Sequence, residues 1–208
     1  MYLPSYFAET RPEELRRLIR HNPLGALVTH GTNGLDANPL PFELDETAGR
    51  LGTLRGHVAR ANPVWQDVGD EEPVLVVFRA VDAYISPNWY PSKHETHRQV
   101  PTWNYQVVNV HGKIRIRDEK NYVRGVVARL TRTHEAQTGA QRPWRMGDAP
   151  EDYIDAMLRA IVGIEIDITR IVGKSKLSQN REERDRLSAA DELERRGHPV
   201  IAKAMRDG

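Results

Sequence analysis

Residues 102–117 read Thr102-Trp-Asn-Tyr-Gln-Val-Val-Asn-Val-His-Gly-Lys-Ile-Arg-Ile-Arg117 and sort with period two. Val108, Val110, Ile114 and Ile116 fall on one face, and Trp103, Tyr105, Val107, Asn109 and His111 on the other. That period fits an extended strand and no helix. The aliphatic face needs a core beneath it. The second face mixes aromatic rings with an amide and an imidazole, which suits an interface or a site better than plain solvent.

The rest of the chain must supply the partners of such a strand. Thr10-Arg-Pro-Glu13 has the form of a capping box, with Leu15, Leu18 and Ile19 at helical spacing, so a helix is expected over about 11–21. The apolar run 24–29 leads into Gly31-Thr-Asn-Gly34, whose Asn-Gly pair signals a hairpin. The returning strand, expected over 35–44, carries Pro39 and Pro41, which cannot donate ladder hydrogen bonds and place it at an edge or a bulge. A turn over 45–50 leads to a third strand over 51–56, and 59–68 is helix-compatible except at Pro63. The most apolar run, 73–78, continues through Tyr84 and Ile85 as one long bent strand. Two amphipathic helices are expected over 119–137 and from Pro150 to about Ile161. Ile164, Ile166 and Ile168 then alternate with polar residues in a last strand, and Ser188 is expected to cap a helix ending at Gly197.

About six strands joined mostly by hairpin-length turns, with helices inserted late, predict an α+β chain that is mainly β. The expected architecture is an antiparallel barrel with peripheral helices. One domain is expected over 1–208, with a helical tail from about 181 to 208. Its 208 residues suffice for a sizeable core. Thirty basic residues against 29 acidic ones give a net charge of +1, so DNA contact is possible but finds no support in the charge. The chain has no cysteine, which removes thiolate nucleophiles and cysteine metal sites. No apolar run approaches the roughly 20 residues of a membrane helix and no leader is visible, so no membrane association and a cytoplasmic location are expected.

Polar chemistry concentrates in three places. The connection Ser86-Pro-Asn-Trp-Tyr-Pro-Ser-Lys93 and the strand start Val100-Pro-Thr-Trp-Asn-Tyr105 bring Ser86, Trp89, Lys93, Thr102, Trp103 and Asn104 close together in sequence. Flat apolar rings, directional amides and hydroxyls, and a point charge suit a planar, polar-edged, phosphorylated ligand. The same tryptophans could equally plug the end of a barrel. Thr53, Arg55, His57 and Arg60 lie where a strand gives way to a short helix, a setting suited to phosphate or to a solvated basic turn. Lys174, Lys176, Ser178, Gln179, Asn180 and Arg181 form a second polar cluster. His94-Glu-Thr-His97 is one residue short of the i, i+4 spacing of a zinc-binding helix, and no metal is expected. Glycine patterns of the dinucleotide or P-loop kind do not occur.

Taken together, Gly56-His-Val-Ala-Arg-Ala-Asn-Pro63, Asp82-Ala-Tyr-Ile-Ser-Pro-Asn-Trp-Tyr-Pro-Ser-Lys93, Val100-Pro-Thr-Trp-Asn-Tyr105 with His111-Gly112, and Lys176-Leu-Ser-Gln-Asn-Arg181 resemble the PaiB-type family of FMN-binding negative transcriptional regulators. The motifs lie in the family's order and span most of the chain. Arg55 stands where family members commonly have a histidine. The resemblance implies a split β-barrel of the pyridoxamine phosphate oxidase and flavin reductase kind, with FMN held at a homodimer interface. By analogy, Thr53, Arg55 or His57 would meet the phosphate, Trp103 and Asn104 the ring or ribityl chain, and Lys176, Ser178 and Gln179 would close the site. A regulator is the reading the family implies. The alternative is an FMN-dependent oxidoreductase acting on a small molecule, of flavin, pyridoxine or heme-related type.

Overall fold

The computed structural model describes residues 1–32 and 34–207. In chain order it forms β1 (Ala8–Glu9), α1 (Pro12–His21), β2 (Leu24–Gly31), β3 (Gly34–Pro41), β4 (Glu43–Asp45), β5 (Thr53–Ala59), α2 (Val64–Asp67) and β6 (Pro73–Ile85). There follow α3 (Pro91–Thr96), β7 (Thr102–Arg117), α4 (Lys120–Glu135), α5 (Glu151–Arg159), β8 (Ile161–Lys176), α6 (Glu183–Arg195) and α7 (Pro199–Asp207). The strand order is β3-β2-β6-β7-β8-β5-β4, with β1 pairing to β8. It is an antiparallel sheet decorated with helices, as the strand pattern predicted, but its eight strands exceed the expected six and its hydrogen-bond ladder is open where a barrel was expected. Among the described residues no helix is long and apolar enough to cross a membrane.

The chain folds as two compact units. One comprises residues 19–78 and 109–171. There β2 and β3 pair from Leu24↔Pro41 to Gly31↔Gly34, as the Asn-Gly signal predicted, although Asn33 itself lies outside the described residues. Pairing of β5 with β8 runs from Thr53↔Asp167 to Ala59↔Ile161. Leu27, Leu54, Val76, Phe78, Val110, Ile114, Ile164 and Ile166 are almost fully buried. Near its end β3 approaches β5 without a ladder. A Cβ at Gly56 would stand 3.0 Å from the Pro41 carbonyl oxygen, and Asn62 Nδ2 donates to Asn38 Oδ1 at 2.7 Å. Prolines at 39 and 41 have no N–H to give, so this edge closes by packing and one side-chain bond. Gly112 serves a similar close approach on β7, since a Cβ there would lie 2.5 Å from the backbone oxygen of Asp167.

The second unit comprises residues 1–18, 79–108 and 172–207. Ala8 and Glu9 pair with Lys174 and Gly173. Around the strand ends Ile85, Tyr90, Leu177, Ala189, Leu193, Ile201 and Met205 form one buried cluster, so α6 and α7 supply core. That apolar burial is what the tail contributes.

Several boundaries differ from expectation. The strand expected over 35–44 is two strands, because the chain turns at Phe42, whose ring is buried edge-on to Phe78 at 6.1 Å. The third strand begins at Thr53 and continues to Ala59. α6 begins at Glu183, so Ser188 lies inside the helix. The first turn instead carries Glu183 and Asp185, which suit the positive end of the helix dipole. Gly197, at φ +84°, separates α6 from α7, a helix the sequence reading did not separate from the tail. His94 lies on α3, whereas His97 is its left-handed cap at φ +56°, so the two histidines do not share a helical face.

Candidate functional site

The cation-rich segment at 53–60 forms β5 and its exit. Alternation buries Leu54, Gly56 and Val58 and leaves Arg55 and His57 half-buried on the other face. Arg55 is directly opposite Glu43 on one neighbour and Glu165 on the other. Its Nη1 meets Asp45 at 2.6 Å, and its Nε lies 3.5 Å from Glu165 without a hydrogen bond of good geometry. Arg117 and the Tyr122 hydroxyl also bind Glu165, at 3.1 and 3.0 Å. Arg60 is consumed more completely. It pairs with Asp118 and donates to the carbonyl oxygens of Arg159 and Ile161 at 2.7 and 3.1 Å. Thr53 is buried, its hydroxyl near the Ala48 carbonyl and Asp167. His57 differs from these, because its buried Nδ1 has no partner and burial holds its pKa below the ordinary value.

The second cluster lies at the end of β8 and is built differently. Period two puts Lys174 and Lys176 on one face and Ser175 and Leu177 on the other. Lys174 is buried, donates to the Tyr2 carbonyl at 3.1 Å, and stands 5.4 Å from the Tyr105 ring. Lys176 donates to the Thr102 hydroxyl and to the Trp103 carbonyl, the latter at 2.5 Å. Arg181 donates to Gln99 Oε1 at 2.8 Å and covers the Tyr90 ring at 5.6 Å. Among the described residues none of these three cations pairs with a carboxylate. Burial, then the charges of Lys174 and Arg181, lowers the pKa of Lys176.

Beside the cluster, Trp103 is 54% exposed and meets Tyr84 edge-on at 6.0 Å. Asn104, its neighbour in sequence, points to the opposite face of β7. It is fully buried, and its Nδ2 donates to Ser178 Oγ at 2.9 Å while its Oδ1 has no partner. Ser178 stands at φ +68°, a left-handed conformation that turns the chain sharply after Leu177. Gln179 is fixed by accepting from Leu177 N at 2.8 Å and donating to the Ser175 carbonyl at 2.7 Å.

The 86–93 connection is anchored from beneath. Ser86 Oγ accepts from Asn88 N at 3.3 Å, and Arg196 covers the half-buried Trp89 ring at 5.3 Å. Ser92 donates through N and Oγ to Asp185, at 3.0 and 2.5 Å, and Asp185 is 1% exposed. A carboxylate so deeply buried is tolerable because two donors meet it. Lys93 is half-buried on the short α3. The Tyr90 hydroxyl has Ser178 and Arg181 nearby but no well-aligned partner, and burial raises its pKa.

Thr53, Arg55, His57 and Arg60 thus belong to one unit. Ser86, Trp89, Lys93, Thr102, Trp103, Asn104, Lys176, Ser178 and Gln179 belong to the other. Sequence reading missed Asp185, which looks like one more solvated charge in a charged tail, and Gln106, which sits on a strand face read for its aliphatic residues.

A family match and a likeness of fold define the class, a flavin-binding protein of split-barrel fold. Residues 1–170 match the family described as "Putative FMN-binding domain". The Emericella nidulans protein AN0679 is 34% identical over all of this chain and 97% of its own length. Protease synthase and sporulation protein PAI 2 of Bacillus subtilis is 30% identical over the same shares. Among solved structures, the FAD and heme binding protein from Mycobacterium smegmatis matches with a TM-score of 0.57 and 17% identity, covering 88% of this chain and 79% of that one. This chain belongs to the FMN-binding family of PaiB type, and FMN is its cofactor. Residues of the second unit fit that group, since Lys174, Lys176 and Arg181 pair with no carboxylate among the described residues and a phosphate would supply one anion to all three.

Proposed function

We propose that this flavin-binding protein is a PaiB-type negative regulator of transcription, a single domain acting as a cytoplasmic homodimer whose FMN-binding state sets its activity. The observation that carries the placement of FMN is the carboxylate-free group Lys174, Lys176 and Arg181 beside Tyr105 and Trp103. An anionic phosphate there would gain charge-assisted hydrogen bonds without first displacing an internal ion pair. Trp103 lies close by for the ring system. Thr102, Ser178 and Gln179 hold Lys176 and the following turn in place, while Ser86, Trp89 and Lys93 belong to the connection before β7, where Trp89 packs under Arg196. In the other unit His57, whose buried Nδ1 has no partner among the described residues, is the β5 side chain left for a ligand, while Thr53, Arg55 and Arg60 brace that strand.

The regulatory role is supported by the motif resemblance and by the full-length similarity to PAI 2. Exposed Trp103 and Tyr84 support a second copy as their cover, because large aromatic surface left in water is a usual mark of an interface. The same open ring pair favours a second reading, an FMN-dependent oxidoreductase, since a small molecule could stack there. FMN supplies the redox chemistry when bound, and the chain would supply position and electrostatics.

Titration of the apoprotein with FMN, followed by flavin fluorescence, is expected to saturate at micromolar protein. No saturable change would overturn the reading. Bleaching of bound flavin on adding reduced nicotinamide cofactor would favour the enzyme. For the shared site, co-expressed His57→Ala and Trp103→Ala chains should recover about one FMN per mixed dimer, whereas a monomer with full affinity would exclude sharing. DNA binding by the isolated protein should be weak and steeply salt-dependent.

A further inference from the structure

On the face of β7 and β8 opposite Lys174 and Lys176 lies a cleft of about 920 Å³ contained within the second unit. Its floor is polar and neutral. Gln106 and Ser175, 5% and 6% exposed, line it, and Gln106 Nε2 donates to Ser175 Oγ at 3.1 Å. That bond leaves the Gln106 Oε1 acceptor and the Ser175 hydroxyl proton without a partner among the described residues. Tyr6, Leu177, Pro199 and Val200 supply apolar walls. Charged groups at the rim balance in number, Arg11, Arg17 and Lys203 against Glu9, Glu14 and Asp207. Arg11 binds Glu9 at 2.6 Å, and Arg17 binds Glu14 at 2.7 Å.

We propose that this cleft, which shares Gln179 with the turn after β8 but opens on the strand face opposite Lys174 and Lys176, is a second ligand site for a small uncharged molecule with an amide edge on an apolar body. The warrant is the pairing of functional groups. A hydroxyl donor next to a carboxamide acceptor, both nine-tenths buried, matches a ligand group that presents a carbonyl acceptor beside an N–H donor. Neither half would be satisfied by a hydrocarbon, and burying them unmet is unfavourable. A carboxylate would offer acceptors only and would leave Gln106 Oε1 facing negative charge. The walls give area for the apolar part, and the charge-balanced rim adds little net field. In a flavin-binding regulator and in a flavin enzyme alike such a ligand would be an effector, because a substrate has to reach the flavin itself, so the assignment does not depend on which of the two holds.

The probe is benzamide, titrated into the FMN-loaded protein while the Gln106 side-chain amide is followed by NMR. Acetophenone, which keeps the ring and carbonyl but lacks the N–H, and benzoate serve as controls. Benzamide should shift the Gln106 resonance saturably with an apparent Kd of about 10 mM or below, and about tenfold more tightly than either control. Gln106→Leu and Ser175→Ala, examined through shifts of neighbouring backbone amides, should each weaken benzamide about tenfold while FMN affinity stays within about twofold. No saturable shift, equal binding of acetophenone, undiminished binding by both variants, or displacement of benzamide by added FMN would each overturn the proposal.

Discussion

Two regions of this protein carry clustered cations, and they use them in opposite ways. On β5 and its exit every guanidinium has acidic company, Arg55 with Asp45 and Glu165, Arg60 with Asp118. At the end of β8, Lys174, Lys176 and Arg181 touch carbonyls, a hydroxyl, a carboxamide and aromatic rings. Counting basic residues in a sequence treats both segments alike. What separates them is the cross-strand neighbour. Register places Glu43 and Glu165 beside Arg55, whereas the strand end at 174–176 is flanked by Ala8 and Glu9 of a two-residue strand, and that Glu9 is held by Arg11. Cations of the first kind brace the fold, and those of the second kind are the ones the proposed phosphate site would use.

The largest expected effect tests that division through the ligand. Lys176→Glu should weaken FMN by about a hundredfold, because it removes a charge-assisted contact and adds repulsion. Arg60→Glu should weaken it by less than about threefold, since Asp118 already neutralises that side chain. A larger loss at Arg60 than at Lys176 by fluorescence titration would invert the comparison.

Folding stability without ligand should show the reverse order. Arg55→Met leaves half-buried Asp45 and Glu165 with fewer partners and should cost about 1–2 kcal/mol in urea unfolding. Lys176→Met removes a half-buried charge that lacks a counter-ion and should change stability by less than about 0.5 kcal/mol. Equal losses would mean that both clusters are structural.

The smallest effects are in pH. Burial and neighbouring cations lower the Lys176 pKa in the folded protein, so between that lowered value and the ordinary one near 10.5 the unfolded chain holds the extra proton. Stability of the ligand-free protein should therefore rise with pH through that window, and the rise should vanish in Lys176→Met. His57 obeys the same sign at lower pH. Its pKa is depressed by burial, so stability should be lost as pH falls from about 6.5 through the lowered value, and His57→Gln should flatten the loss. Through the Lys176 window FMN affinity should weaken towards alkaline pH as Lys176 gives up its charge. A flat alkaline profile would show that Lys176 does not meet the phosphate.

Local chemistry wrote much of this protein into the chain. The period-two pattern of β7, the prolines that make β3 an edge, the amphipathic stripe of α4 and the ordered motifs of the FMN-binding family all depend on residues near one another in sequence. These were legible because backbone geometry converts spacing into a face. The facing of individual site residues was partly legible too, since alternation alone sets Trp103 and Asn104 on opposite sides of one strand. Tertiary structure decided the rest. It chose which arginines meet carboxylates, buried Asp185 beneath Ser92, turned the charged tail into two core-forming helices, and opened a cleft over Gln106 and Ser175. Each of those outcomes joins residues distant in sequence, such as Ser92 and Asp185, and a charge or amide carries no mark of its partner until the fold brings the two together.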